Sequence, residues 1–286
     1  MLRIMFQLTV IRSLSLLIFI SLGVSLAEAE KKSKSEIIEY RGGLRNSNGQ
    51  YRLEPKHLNL LLASLREKTG FTELSVDSSD YLVIGNNESF IGGSSAARKL
   101  LIAAVEGKIL FNLESHHCSM KVTFAQLDES TVFRNISTGK EVEVRPLELD
   151  FSDYTHLRGE REVRRSFDVG INVLHELVHG VYHLRDAVED PNELGECEDF
   201  VNTIRRDLNL PEREKYFARV NNSVAPLGII VRRAELQFSQ AKEKNGNHKT
   251  ETVFLSWDTG KVGLVTADER LIAAKANQVK ATAGLH

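Results

Sequence analysis

The stretch His175-Glu176-Leu177-Val178-His179 carries two histidines four residues apart, with a glutamate directly after the first. Residues four apart share one face of a helix, so both imidazoles can reach one metal ion at Zn–N distances of about 2.0–2.1 Å. Glu176 falls on the adjoining face, where its carboxylate can take a proton from a water held by the ion. This pentapeptide therefore predicts a metal site with its own general base.

The flanking residues predict the helix that such a site needs. Between about 166 and 184, apolar residues recur at intervals of three and four, as on a helix packed along one side: Phe167, Ile171, Leu174, Val178 and Val181. Gly170 weakens this helix without ending it. The competing interpretation is an amphipathic core helix that carries two histidines and a glutamate by coincidence.

The hexapeptide HELVHG at 175–180 resembles the signature of the zincin metallopeptidases. The resemblance implies a catalytic zinc ion held by His175 and His179, with Glu176 as the general base that activates a zinc-bound water. It also implies an α+β fold, in which a zincin-like domain has a mixed or antiparallel sheet and an active-site helix that carries the motif.

The third zinc ligand must come from outside the pentapeptide. The metzincin branch would require glycine at position 182 and histidine at position 185, but this chain has Tyr182 and Arg185. His183 continues the four-residue spacing, yet its Cα would lie about 12 Å along the helix axis from that of His175, too far for one ion. We expect His183 at a helix end or in contact with a residue that binds the metal ion.

A second predicted helix offers acidic candidates for this ligand. Residues 186–192 predict a turn, and an apolar stripe predicts a helix over about 193–208. If this helix folds back on the first, the residue level with the histidines should lie near 196–200. Glu198 is the predicted ligand and Glu196 the alternative, an arrangement that resembles the gluzincin branch. A solvated acidic helix face is the competing interpretation.

A tyrosine is the candidate for stabilising an oxyanion. The segment 202–216 is distantly similar to the stretch that follows the metal site in bacterial effector metalloproteases of the zincin clan, in which an aromatic residue returns toward the cleft. Tyr216, or alternatively Tyr182, would donate a hydrogen bond to a tetrahedral intermediate. Packing without a catalytic role is the competing interpretation for both.

Residues 1–29 predict a secretory signal peptide. Arginines precede an apolar run over 14–26, and Ala27-Glu28-Ala29 has the small-x-small form of a cleavage site. We expect cleavage after Ala29 or after Ala27, and an uncleaved N-terminal anchor is the alternative. The protein is therefore expected to be secreted or periplasmic, where Cys118 and Cys197 could form a disulfide; a buried free thiol at Cys197 is the other possibility.

Composition and length are those of one ordinary enzyme domain. The 286 residues are 42% hydrophobic and carry a net charge of -2 without a long basic run, which argues against binding to nucleic acid. We expect a flexible segment over 30–50, one catalytic domain over 51–270 and a tail over 271–286. Within the domain, periodicity predicts a helix at 55–68, strands within 108–124 and 131–149, and a hairpin over 227–257.

These features together predict an exported zinc metalloendopeptidase that hydrolyses peptide bonds in a peptide or protein substrate. Two other classes remain open. A zinc-binding structural or adhesive module would keep the ligands without needing Glu176, and a zinc hydrolase of a non-peptide amide would keep the ligands and the base.

Overall fold

The computed structural model describes residues 40–116, 123–134, 139–187, 193–224, 230–244, 247–260 and 262. The predicted signal peptide, its cleavage site and the C-terminal tail lie outside the described residues. From Arg41 onward the described residues form one unit. Among them, every helix is too short or too polar to cross a bilayer.

The chain mixes helices and strands, as the predicted α+β class requires. In chain order the elements are β1 (Gly43–Asn46), α1 (Pro55–Thr69), β2 (Leu74–Val76), β3 (Leu82–Ile84), α2 (Ser95–Val105), β4 (Leu110–Ser115), β5 (Ala125–Leu127), β6 (Thr131–Arg134), β7 (Glu141–Leu149), α3 (Phe151–Tyr154), α4 (Arg161–Arg165), α5 (Val169–Tyr182), α6 (Gly195–Asp207), β8 (Glu212–Arg213), β9 (Arg219–Val224), β10 (Ile230–Lys244) and β11 (Asn247–Asp258). The predicted helices at 55–68, 166–184 and 193–208 are thus confirmed as α1, α5 and α6.

The first sheet is mixed. Strands β1, β4 and β7 run parallel in that order, while β5 and β6 pair antiparallel with β7. Strand β1 lies within the segment predicted to be flexible, and its four residues are buried. The structured region therefore begins before residue 51.

Helices α1, α2 and α5 contact one another beside this sheet. Helix α1 begins at Pro55, which lacks the amide hydrogen that a first helical turn leaves unpaired, and ends at Gly70 in the left-handed conformation with φ 78°. The shared core is apolar, and its fully buried members include Leu61, Leu100, Leu113, Leu147, Leu174 and Leu177.

The second sheet contains the predicted hairpin. Strands β10 and β11 pair antiparallel over most of their length, and β8 and β9 pair with β10. Alternate residues of the hairpin point inward to a second core, which contains Val163, Phe167, Leu236, Phe238, Leu255 and Trp257. Along the chain, α5 begins just after Phe167 of this core, and α6 leads into β8. The motif therefore lies in the chain segment that connects the last strand of the first sheet, β7, to the first strand of the second sheet, β8.

Candidate metal centre

Helix α5 presents the two motif histidines from successive turns. Its first turn is capped by Asp168, whose side chain accepts a hydrogen bond from the Ile171 amide at 3.0 Å and pairs with the buried Lys68 at 2.8 Å. A Cβ on Gly180 would lie 2.2 Å from the Phe111 ring, so glycine allows the helix to approach β4 closely. The helix ends at His183, as expected for that residue, in the left-handed conformation with φ 57°.

The turn at His183 brings Asp186 back over the end of α5. The Nε2 atoms of His175 and His179 lie 3.2 Å apart, and the Asp186 carboxylate faces both of them, with Oδ1 3.2 Å from His175 Nε2 and Oδ2 3.1 Å from His179 Nε2. Tetrahedral zinc with bonds of about 2.0–2.1 Å places its ligand atoms about 3.3 Å apart. Two imidazole nitrogens and a carboxylate therefore have the spacing of ligands to one zinc ion.

The hydrogen bonding of Asp186 also fits a cation. Its Oδ1 is buried and has no hydrogen-bond donor among the described residues, although His175 Nε2 lies close by. A buried carboxylate oxygen without a donor is costly, and a bound divalent ion would satisfy it. The donor set of imidazole and carboxylate is one that zinc accepts.

The Nδ1 atoms of both histidines face acceptors on the side away from Asp186. His179 Nδ1 lies 2.7 Å from the Leu184 carbonyl oxygen, and His175 Nδ1 lies 3.2 Å from Glu198 Oε2. An acceptor at Nδ1 fixes the proton there and leaves the Nε2 lone pair available to a metal. Each histidine is thus oriented for coordination through Nε2.

The structure places Glu198, the predicted third ligand, behind His175 at Nδ1. This side chain is fully buried, and its carboxylate pairs with Arg205 and, at 3.1 Å, with Arg213. These arginines outweigh the cost of burial and hold the pKa of Glu198 well below its usual range. Glu196, the alternative, is exposed on α6. Among the described residues, the acidic group that faces both Nε2 atoms is Asp186.

Cys197 lies close to the same histidine as a buried free cysteine. Its Sγ donates to the His175 carbonyl at 3.5 Å and lies 3.6 Å from His175 Nδ1. Together with His175, His179 and Asp186 it forms a group whose ligand atoms all lie within 4.8 Å of one another. Cys118, its predicted disulfide partner, lies outside the described residues, so that bridge stays a prediction.

Glu176, the predicted general base, lies between the motif helix and strand β5. Its Oε2 accepts a hydrogen bond from the Leu127 amide at 2.9 Å. Burial raises the pKa of this carboxyl above its ordinary value, although the two motif histidines and the Leu127 amide act in the opposite direction. A raised pKa brings the group closer to that of an effective base near neutral pH.

Tyr216 reaches the centre from the loop between β8 and β9. Its hydroxyl donates to Asp186 Oδ2 at 2.7 Å, and its ring stacks on that of His175 with centroids 6.3 Å apart. Arg213 holds this loop by donating to the Lys215 carbonyl at 3.1 Å and to the Tyr216 carbonyl. Tyr182, the alternative from the sequence, packs against Phe200 on α6.

The contact between His179 and Asp186 shifts the pKa of both groups. Burial alone would lower the pKa of His179, but its contact with Asp186 outweighs burial and raises that pKa to about 10. Burial alone would raise the pKa of Asp186, but the two histidines hold it well below its usual range. A metal ion that binds through Nε2 therefore competes with protonation of these histidines.

Comparison with family models, with curated proteins and with solved structures finds no match to this chain.

Proposed function

We propose that the protein is an exported, zinc-dependent metallopeptidase with a zincin-like catalytic centre. The observation that carries this proposal is the triangle formed by His175 Nε2, His179 Nε2 and the Asp186 carboxylate, with contacts of 3.1–3.2 Å, beside the half-buried carboxylate of Glu176. His175, His179 and Asp186 would hold the ion. Asp186 here replaces Glu198 as the third ligand, and Glu198 orients His175.

Zinc bound by this triangle would polarise a substrate carbonyl and lower the pKa of water. Glu176 would take the proton from the attacking water and return it to the leaving amine. Its contact with the Leu127 amide fixes one carboxylate oxygen and leaves the other for the proton. Tyr216 would donate its hydroxyl hydrogen to the developing oxyanion, leaving Asp186 as it does so.

Strand β5 supports the choice of a peptide as the substrate. Its partner β7 covers one edge, and the Leu127 amide points away from that partner toward Glu176. An extended peptide added along this edge, which no other described strand covers, would run past the general base, with backbone hydrogen bonds to hold it.

One observation favours a second candidate, a structural zinc site. Cys197 Sγ belongs to the same group of ligand atoms as the two histidines and Asp186. Four protein ligands would close the coordination sphere, as in structural zinc sites, and would leave no position for substrate.

The mature chain tests both candidates. Its metal content is measured after purification and zinc supplementation, and cleavage of an unbiased peptide library is compared for wild type, Glu176→Gln and the matched control Glu196→Gln, a change at an exposed site. We expect bound zinc in all three and cleavage by wild type and the control only. Zinc without cleavage that depends on Glu176 refutes the peptidase and favours the structural site, while absence of zinc refutes both.

A further inference from the structure

A pocket of about 260 Å³ opens beside the loop that carries Tyr216. It lies on the outer face of the second sheet, where Gln237 pairs with Phe254 and Glu235 pairs with Arg219. The side chains that define it are two aromatic rings and four polar groups: Phe217, Phe254, Lys215, Arg219, Glu235 and Gln237. We call it the Phe217 pocket.

Two ring contacts connect the Phe217 pocket to the metal centre. The Phe217 ring packs edge-on against Tyr216 with centroids 5.2 Å apart, and Tyr216 stacks on His175 at 6.3 Å. An extended peptide advances about 3.3–3.6 Å per residue. A substrate bound at the metal centre would therefore reach this pocket within a few residues of the scissile bond.

The pocket exposes two large apolar groups. Phe217 is 45% exposed and Phe254 is 50% exposed, whereas the alternating neighbours of Phe254, Val253 and Leu255, are buried in the second core. A single exposed aromatic residue is ordinary, but two rings that line one pocket form a site for an apolar side chain.

Its lining carries two cations, Lys215 and Arg219, and one carboxylate, Glu235. Lys215 and Arg219 form no ion pair or side-chain hydrogen bond with the described part of the chain. The acidic member, Glu235, already accepts a hydrogen bond from Asn221 at 2.7 Å, and Gln237 donates to Glu214. A neutral amide does not cancel the charge of Glu235, but the two cations outnumber this carboxylate and have no anionic partner of their own among the described residues.

We propose that the Phe217 pocket is a substrate subsite that takes an aromatic or large aliphatic side chain next to a carboxylate. This inference rests on the proposed function, because it names the substrate class of that site. The rings would bury the apolar side chain, while Lys215 and Arg219 would pair with the acidic neighbour.

Peptide binding tests the subsite separately from catalysis. Three fluorescent peptide pools share random flanks around a fixed pair, which is Phe-Glu, Phe-Lys or Ser-Glu, and polarisation measures their binding to Glu176→Gln. We expect the Phe-Glu pool to bind about three- to tenfold more tightly than either other pool, as exposed ion pairs and one buried ring allow. The same pairs should be enriched near sites that wild type cleaves.

Variants identify the side chains responsible. Lys215→Glu combined with Arg219→Glu should abolish the preference for the Phe-Glu pool over the Phe-Lys pool. Phe254→Ala should abolish the preference for the Phe-Glu pool over the Ser-Glu pool. The matched controls are Arg232→Glu, an exposed arginine on β10 outside the pocket, and Phe90→Ala, an aromatic residue of similar exposure. Thermal unfolding monitored by circular dichroism checks that each variant folds.

The outcomes separate the two proposals. Selective binding that the pocket variants abolish and the controls keep supports the subsite, even where wild type cleaves no peptide and the peptidase proposal fails. Cleavage without such selectivity, or selectivity that the pocket variants leave unchanged or the controls also lose, overturns the subsite and leaves the peptidase proposal standing.

Discussion

Replacing each of the two acidic candidates by its amide distinguishes a residue that binds the metal from a residue that orients a metal ligand. Asp186→Asn keeps the size of the side chain at the position facing both Nε2 atoms, and Glu198→Gln does the same behind His175. We expect the first to lower zinc affinity with a small effect on folding, and the second to lower the free energy of unfolding strongly. Glu196→Gln is the control.

The magnitudes follow from burial. Structural zinc sites bind with about 10–16 kcal/mol over four ligands, so one ligand is worth about 3–4 kcal/mol, or 10²–10³-fold in affinity. Asp186 is 26% exposed, and its histidine partners can deprotonate, so its loss should cost about 1–2 kcal/mol of stability. Glu198 is fully buried against Arg205, which is 1% exposed. Neutralising Glu198 leaves that cation unpaired, at about 3–5 kcal/mol.

Two measurements on each variant decide the matter: zinc affinity by competition with a chromophoric chelator, and unfolding by urea in the metal-free state. Glu198→Gln should also lower zinc affinity, but only by about 10–100-fold, because it supports a ligand without being one. The reasoning is refuted if Asp186→Asn binds zinc normally, or if Glu198→Gln unfolds like wild type while losing zinc.

Three further predictions follow from the same contacts. Gly180→Ala should destabilise the protein by about 1–3 kcal/mol, because its methyl group would meet the Phe111 ring; urea unfolding at the wild-type midpoint would contradict this. Tyr216→Phe should lower kcat by about 10²–10³-fold at saturating zinc, and an unchanged kcat would exclude it as the oxyanion donor. Zinc affinity should rise from pH 6 to pH 9, because protons leave His179, whose pKa is raised to about 10, as pH increases while Asp186 stays ionised. Calorimetry in buffers of different ionisation enthalpy should record proton release, and a flat affinity would contradict the linkage.

The motif helix was predictable from sequence because its signals are local. The apolar period and the pair of histidines fixed the helix and the face that carries the site. The order of the parallel strands was not predictable, since β1 pairs with β4 across more than sixty residues of chain and no local pattern specifies that partner.

The acidic group that faces the two Nε2 atoms was harder to predict, for a geometric reason. Height along the next helix points to Glu198, which does contact His175, but height along a helix does not determine which ring nitrogen a side chain approaches. The sequence predicts a turn at Asp186, but it carries no signal for the left-handed conformation at His183 that reverses the chain and brings Asp186 to the histidines.

That left-handed turn also makes the proposed centre a local structure. His175, His179 and Asp186 all belong to the segment 175–186, so bringing them together closes only a short loop, whose entropic cost is small. The three side chains can therefore converge as soon as α5 and its turn form, before the distant strands of the first sheet have paired. A metal ion present at that stage would act on folding itself, by stabilising this segment before the sheet is complete.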